Sequence, residues 1–452
     1  MSQHTKENNS RVRINREWIA PALVVIYQIL AATIFVIISV SAINWIRAPF
    51  IGAFIEHSLL ISKIHPPQSD HWPLSSTIDN DGYQVVAINE HTISSIYDLN
   101  NTLHNIPSDT VINVTVKSVN GSKEHKTIQL SSFSRTDQIT YFLIPFSIGI
   151  IYFGSSIWVF SLRGKDAVGR AYAVFATSIA LVAAGLFDVY TSNRTTYVWT
   201  ISLGMAGGSL ISLAMLYPQE HPIVNRFPFL RWIGYLIGLL AALYAIPTIY
   251  NQVNPLAYIT AWQIEYIIGA IAILIFIGLS VSRYYKTSYP VIREQSRLIL
   301  IGIAISICPV IIWLFVMKIF PQLHFSTYVL IPIVFFAIVM VYAISSYRLL
   351  STNYLFSRSI IYTLLTILST AGYALLVAGL SLLLGNAPIV RNVYFTGFVI
   401  FLLALGLIPL RNFLVRSIDS IFVRNQATYQ EHLQAFGREL TRATNLEDIA
   451  SL

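Results

Sequence analysis

Cysteine is almost missing from this 452-residue chain, and the one present, Cys308, lies inside an apolar run. A disulfide framework and a cysteine-based metal site are therefore both excluded. Charge is also scarce, since Asp, Glu, Lys and Arg together make up 11% of the residues, against roughly 25% in soluble domains. A chain this poor in charge has too little polar surface to face water on all sides. No phosphate loop, glycine-rich ATP lid, cyclase signature or Ser-His-Asp arrangement can be placed along it, so no catalytic residue and no cofactor are expected. His57, His65 and His71 have spacings that fit no standard ligand set, and no metal is expected either.

Apolar side chains are abundant: 55% of the residues are hydrophobic and 13% aromatic, with a mean hydropathy of +0.63. About 20 apolar residues cross a bilayer as a helix. On that length the sequence predicts spans near 20–46, 139–161, 171–190, 197–217, 232–250, 261–282, 298–320, 326–346, 360–384 and 394–410. The first run is longer than a secretory core and no small-residue cleavage site follows it, so it is expected to remain as an anchor. The fold class is accordingly mainly α, a polytopic membrane bundle of about ten spans with one small α+β domain outside the bilayer.

The net charge of +8 does not point to nucleic acid, because the basic residues sit between apolar runs and not in one patch. They read as topology determinants. Lys6 to Arg16, Arg163 to Arg170, Arg226, Arg231, Arg283 to Arg297, Arg348 and Arg358 fall on one side, and only Arg194, Lys318 and Arg391 on the other. Both termini are then cytoplasmic. The expected organisation is a cytoplasmic N-terminus (1–19), a first span (20–46), an extracytoplasmic domain (47–138), a nine-helix bundle (139–410), a connecting helix (411–444) and the start of a further module (445–452).

Within 47–138 the composition turns polar. Leu59 to Ile64, Tyr83 to Ile88 and Val111 to Val119 read as strands, Ile96 to Asn105 as a helix, and Asn120-Gly121 as a turn into Thr127 to Leu130. The run Asp81-Gly82-Tyr83-Gln84-Val85-Val86-Ala87-Ile88-Asn89-Glu90, with Ile93 and Asp98-Leu99, resembles the central strand, turn and helix of bacterial PDZ domains. The resemblance implies a peptide groove with a carboxylate-binding loop, a part that Gly52, Ala53, Phe54 and Ile55 would play, beside an edge at Leu59 to Ile64 open to an added strand. A rigid spacer is the plainer alternative.

After the last span, Tyr429, Leu433, Phe436, Leu440 and Ala443 are spaced 4-3-4-3, as in a two-stranded coiled coil, so a homodimer is expected; a single amphipathic helix on the inner leaflet is the other reading. Asn445 and Asp448 mark a new helix start. The order of one span, a PDZ-like domain, a multi-span bundle and a connecting helix resembles the sensory half of bacterial sensor histidine kinases, among them the competence-pheromone receptor kinases and a group in filamentous green non-sulfur bacteria. The segments Gly185 to Arg194 and Leu216-Tyr217-Pro218 carry the likeness to that group. The resemblance implies a receptor that passes a signal to a GAF domain, a kinase or a response regulator in the cytoplasm. No His-Glu-Leu-Arg phosphoacceptor motif is present, and His432 lacks the flanking residues of one, so the output would lie beyond this chain or on a partner.

Charges inside spans cost on the order of 3 kcal/mol at the bilayer centre. Asp188, Glu265 and Lys318 are such charges, all near outer helix ends, and with Arg194 they are expected to form a polar pocket that reads a peptide or small ligand. Gly204 and Gly208 have the spacing of a close helix contact. Two rivals stay open: a transporter or channel, which calls for internal repeats with broken helices, and a scaffold that uses the domain only to hold a partner.

Overall fold

The structure is a computed structural model that describes residues 4–345, apart from 63, 67–71, 78–81, 119–120, 252–253 and 320–326. Among the described residues eight helices are long and apolar enough to cross a membrane: Trp18–Ile46, Arg135–Arg163, Ala167–Val189, Thr196–Leu216, Leu230–Thr248, Ala257–Lys286, Pro290–Trp313 and Thr327–Ser345. Each overlaps one of the first eight expected spans. The expected spans at 360–384 and 394–410, the helix carrying Tyr429, Leu433, Phe436 and Leu440, and the segment from 445 lie outside the described residues.

The regular elements used below are, among the helices, α1 (His4–Ile46), α2 (Ile96–His104), α3 (Ile144–Arg163), α4 (Ala167–Val189), α5 (Thr196–Leu216), α6 (Leu230–Ala245) and α7 (Ala257–Lys286), and the strands β1 (Gln84–Ile88), β2 (His91–Thr92), β3 (Val111–Lys117) and β4 (Lys123–Gln129). Helices α4 and α5 are mostly buried, whereas α1, α6 and α7 turn large apolar side chains outward. Leu23 and Leu30 on α1, Leu236 and Leu240 on α6, and Ile267 and Leu274 on α7 are exposed. Apolar faces of this extent are stable only against hydrocarbon. The chain is a membrane protein.

Glycine lets α5 and α6 touch along their backbones. A Cβ at Gly208 would stand 2.2 Å from the Gly234 carbonyl oxygen, and one at Gly204 would stand 2.5 Å from that of Gly238. Even the smallest side chain must push the helices apart there. Gly208→Ala is expected to destabilise the bundle by about 2 kcal/mol through overpacking, read as a lower unfolding midpoint in detergent; an unchanged midpoint would mean that α6 moves freely against α5.

Between the first two spans lies a four-stranded antiparallel sheet in the order β2-β1-β3-β4. Asn89 and Glu90 both have positive φ, 46° and 69°, as a two-residue primed hairpin turn from β1 to β2 requires. Alternating Ile112, Val114 and Val116 of β3 are buried, and α2 lays Ile96, Leu99 and Leu103 into the same core. Helix α2 starts cleanly because Ser95 Oγ accepts the Asp98 N–H at 3.2 Å while Asp98 Oδ2 accepts the Ser94 N–H at 3.0 Å.

Leu59 to Ile64, expected as an edge strand, is interior where it pairs at all. Leu60 bridges Gln84 on one side and Ile61 bridges Ile55 on the other. The edge of the domain is therefore one segment further out, at Ala53 to Ile55.

An aromatic cluster fixes this domain to the bundle. Phe50 and Phe54 both meet Trp72 with ring centroids 4.9 Å apart, Trp45 meets Phe133 at 5.3 Å, and Phe54 meets Tyr141 at 5.2 Å. Trp72 Nε1 also donates to Asp137 Oδ2 at 3.1 Å. Edge-to-face pairs of this kind add about 1 kcal/mol each beyond the area they bury.

Candidate functional site

At the domain end of the bundle, α4 runs into α5 through the hairpin Tyr190 to Thr195, and Asp188 builds that hairpin. Asp188 Oδ2 accepts both the Thr195 N–H and the Thr195 Oγ1 hydroxyl at 2.7 Å, and Oδ1 accepts from Ser192 Oγ. The Asp188 carbonyl accepts the Asn193 N–H at 2.7 Å. Asn193 is held at φ 54°, a left-handed conformation that Asn tolerates. Its Nδ2 then reaches the Ile55 carbonyl of the inter-span domain at 3.4 Å.

Above the hairpin is a cleft of about 280 Å³. One wall is the Ile51, Ala53 and Ile55 segment, the other is α2, and the floor is the hairpin from Tyr190 to Arg194 together with Trp45 of α1. The Ile55–Ile61 bridge is closed by the Ser62 N–H to Phe54 carbonyl and Glu56 N–H to Leu60 carbonyl bonds, 2.9 and 2.8 Å. Alternation along a strand then turns the N–H and C=O of Ala53 and Ile55 to the opposite side. Among the described residues no group meets the Ala53 N–H, the Ala53 carbonyl or the Ile55 N–H.

The next two residues enter the bundle. Glu56 accepts a hydrogen bond from the Tyr258 hydroxyl of α7. His57 packs against Tyr258 and Tyr250 with centroids 4.4 and 5.5 Å apart. Leu60 joins Val189, Trp199, Tyr258 and Trp262 in one apolar cluster. Burial moves both titrating groups toward neutrality: it pushes the Glu56 carboxyl up to about 7 against the opposing Ser62 hydrogen bond. It pulls His57 down to about 4, offset in part by the Ile249 main chain.

No family model, curated protein or solved structure matches this chain. What the site does is therefore argued from its geometry.

Among the described residues Asp188, Arg194 and Glu265 do not form the expected ionic pocket. Asp188 is consumed by the hairpin, while Glu265 on α7 is buried with no hydrogen-bond partner for either carboxylate oxygen among the described residues. Arg194 is exposed on the cleft rim, and the Lys318 side chain lies outside the described residues. The expected carboxylate-binding loop also has another use. Gly52, at φ 83°, packs against Pro73, leaving no room for a Cβ, and Phe54 is buried in the aromatic cluster. Ala53 and Ile55 do line the cleft, although both are buried in the core of the domain. Sequence reading missed Glu56, His57, Asn193 and Tyr258; an Asx-type residue three positions before the next helix was the one signal available for the hairpin.

Proposed function

We propose that this chain is the input half of a bacterial signalling receptor, with an extracytoplasmic PDZ-like domain that takes a peptide in the cleft and a bundle that carries the response to a cytoplasmic output module. The observation that carries this reading is the continuity of one segment. Ala53 and Ile55 line the cleft, and Glu56 and His57, the next residues along, are the plug in the bundle. An added strand in the cleft moves the plug, because a strand shifts as a unit.

The element order of the domain supports the PDZ-like reading: an edge segment, an inner strand at Leu60, β1, the α2 helix flanking the edge, then β3 and β4. The bundle would pass the shift to a dimer through the heptad positions Leu433 and Leu440, and from there to a GAF, kinase or response-regulator partner. Cysteines placed singly at Leu433 and Leu440 are expected to crosslink in native membranes, with a yield that changes when the cleft edge is locked by an Ile55→Cys, Asn193→Cys disulfide. Crosslinking that is absent, or indifferent to the lock, rejects the coupling. Reporter fusions at Ser192 and Lys286 are expected on opposite sides of the bilayer.

A further inference from the structure

We propose that the floor of the cleft is a subsite for a ring carrying several neighbouring hydroxyl groups, a sugar or related polyol, read by Ser41 and Asn193. The inference goes beyond the peptide reading and stands without it, because neither residue belongs to the Ile51, Ala53 and Ile55 wall.

Two polar atoms at the floor are left without partners. Ser41 and Asn193 both line the cleft and are only 3% and 4% exposed, yet Ser41 Oγ and Asn193 Oδ1 make no hydrogen bond. A hydroxyl in a helix can fall back on the carbonyl four residues earlier. On the same α1, Thr33 donates to the Ile29 carbonyl at 3.1 Å and Ser39 to the Phe35 carbonyl at 2.8 Å, but Ser41 makes no such bond. It shares one face of α1 with Asn44 and Trp45, three and four positions on, and all three line the cleft. Asn193 is turned by the hairpin so that Nδ2 donates to the Thr191 carbonyl at 3.2 Å and the Ile55 carbonyl at 3.4 Å, which leaves Oδ1 unused. Unpaired polar atoms shut away from water are costly, and native chains keep few of them.

The chemistry of the cleft selects the occupant. Asn193 Oδ1 only accepts, whereas the Ser41 hydroxyl donates or accepts. Among the described residues that line the cleft there is no Asp or Glu, and Arg194 is the fixed charge. An ammonium group would satisfy Asn193 but meet Arg194 with no carboxylate to balance it. A carboxylate or phosphate would satisfy Ser41 and Arg194 but bring no proton to Asn193. An alkyl chain leaves both atoms unpaired. A hydroxyl donates and accepts at a single atom and is small enough to reach groups closed to water. The carboxamides of Asn100 and Asn101 on the α2 wall extend the same mixed chemistry to further hydroxyls, and Trp45 supplies an apolar face for the ring. At about 280 Å³ the cleft lies at the lower end of small-molecule sites, which suits one ring.

The test mixes the full chain in phosphatidylcholine nanodiscs with the methyl pyranosides of glucose, galactose, mannose and N-acetylglucosamine, with cyclohexanol as a ring bearing a single hydroxyl, and reads binding by saturation-transfer difference NMR. At least one glycoside is expected to bind about tenfold tighter than cyclohexanol. Ser41→Ala is expected to weaken that binding about tenfold while the ligand-free unfolding midpoint stays the same or rises, since an unpaired buried atom is removed. Ser39→Ala, whose hydroxyl is bonded within its own helix, is expected to leave binding unchanged, and Asn193→Gly, which keeps the positive φ, to weaken it. A membrane source gives a different pattern: no free glycoside binds, but glucosyl or galactosyl diacylglycerol in the disc raises the midpoint of the unaltered chain and not that of Ser41→Ala, which puts the same hydroxyls on a lipid headgroup. The proposal is overturned if neither the glycosides nor the glycolipids act, if cyclohexanol binds as well as every glycoside, or if Ser41→Ala lowers the ligand-free midpoint and leaves binding intact.

Discussion

Replacing Asp188 with alanine is expected to lower the stability of the bundle by about 3 kcal/mol. The substitution leaves the buried Thr195 N–H and hydroxyl, both now 2.7 Å from Asp188 Oδ2, and the Ser192 hydroxyl without their acceptor. The main-chain bond from the Asn193 N–H to the Asp188 carbonyl survives, so the hairpin loosens without being lost. Thermal unfolding in detergent measures the effect, and Asp188→Asn is expected to fall between the alanine variant and the unaltered chain, because one amide oxygen still accepts. On the peptide reading proposed above, a functional consequence is expected with it: Asn193 loses its fixed place beside the Ile55 carbonyl, and peptide affinity drops even where the protein stays folded. An unchanged midpoint in Asp188→Ala would remove the hairpin from any account of the site.

The legible parts of this structure are those whose cause is local. A run of about 20 apolar residues is its own signal, which is why all eight described spans fall where the hydropathy predicts them. Helix α2 was expected from Ile96 to Asn105 and runs to His104, because Ser95 and Asp98 cap it within four residues. Strand β3 starts at Val111 as its alternating valines predict, while β4 begins earlier than expected, at Lys123, because pairing with β3 recruits the polar residues Lys123 to Lys126. Contacts between distant segments leave no such trace. Asn193 meets Ile55 across 138 positions and Tyr258 meets Glu56 across 202, and nothing in either neighbourhood announces its partner. Leu59 to Ile64 was misplaced as an edge for the same reason, since the covering segment Ala53 to Ile55 is too short and too apolar to read as a strand. Asp188 shows the complementary case: the sequence suggests an ion pair with Lys318 or Arg194 at the span end, whereas its hydrogen-bond partners are Ser192 and Thr195, four and seven residues away.

The plug formed by Glu56 and His57 is expected to be nearly indifferent to pH between about 4.5 and 6.5, and each single substitution is expected to tilt it in the opposite direction. With the plug withdrawn, Glu56 and His57 return to the ordinary values of free side chains, about 4.5 and about 6.5. Between those values the withdrawn pair is a carboxylate and an imidazolium, holding one proton between them. Seated, with Glu56 raised to about 7 and His57 lowered to about 4, the pair is a neutral acid and a neutral ring and again holds one proton. Seating therefore moves a proton from histidine to glutamate without taking any from solvent, and stability has no slope where proton counts match. Glu56 alone favours the seated state at low pH and loses that advantage as pH rises from about 4.5 to 7; His57 alone favours it at high pH and loses it as pH falls from about 6.5 to 4. At about 1.4 kcal/mol per unit, each shift is worth on the order of 3 kcal/mol. His57→Phe should then make unfolding easier by about that amount on going from pH 4.5 to 7.5, and Glu56→Gln by a similar amount on going from 6.5 to 4. Fluorescence-detected unfolding midpoints across pH 4 to 8 decide the matter, and parallel profiles for the two variants would show that neither side chain is buried in the bundle as a neutral group.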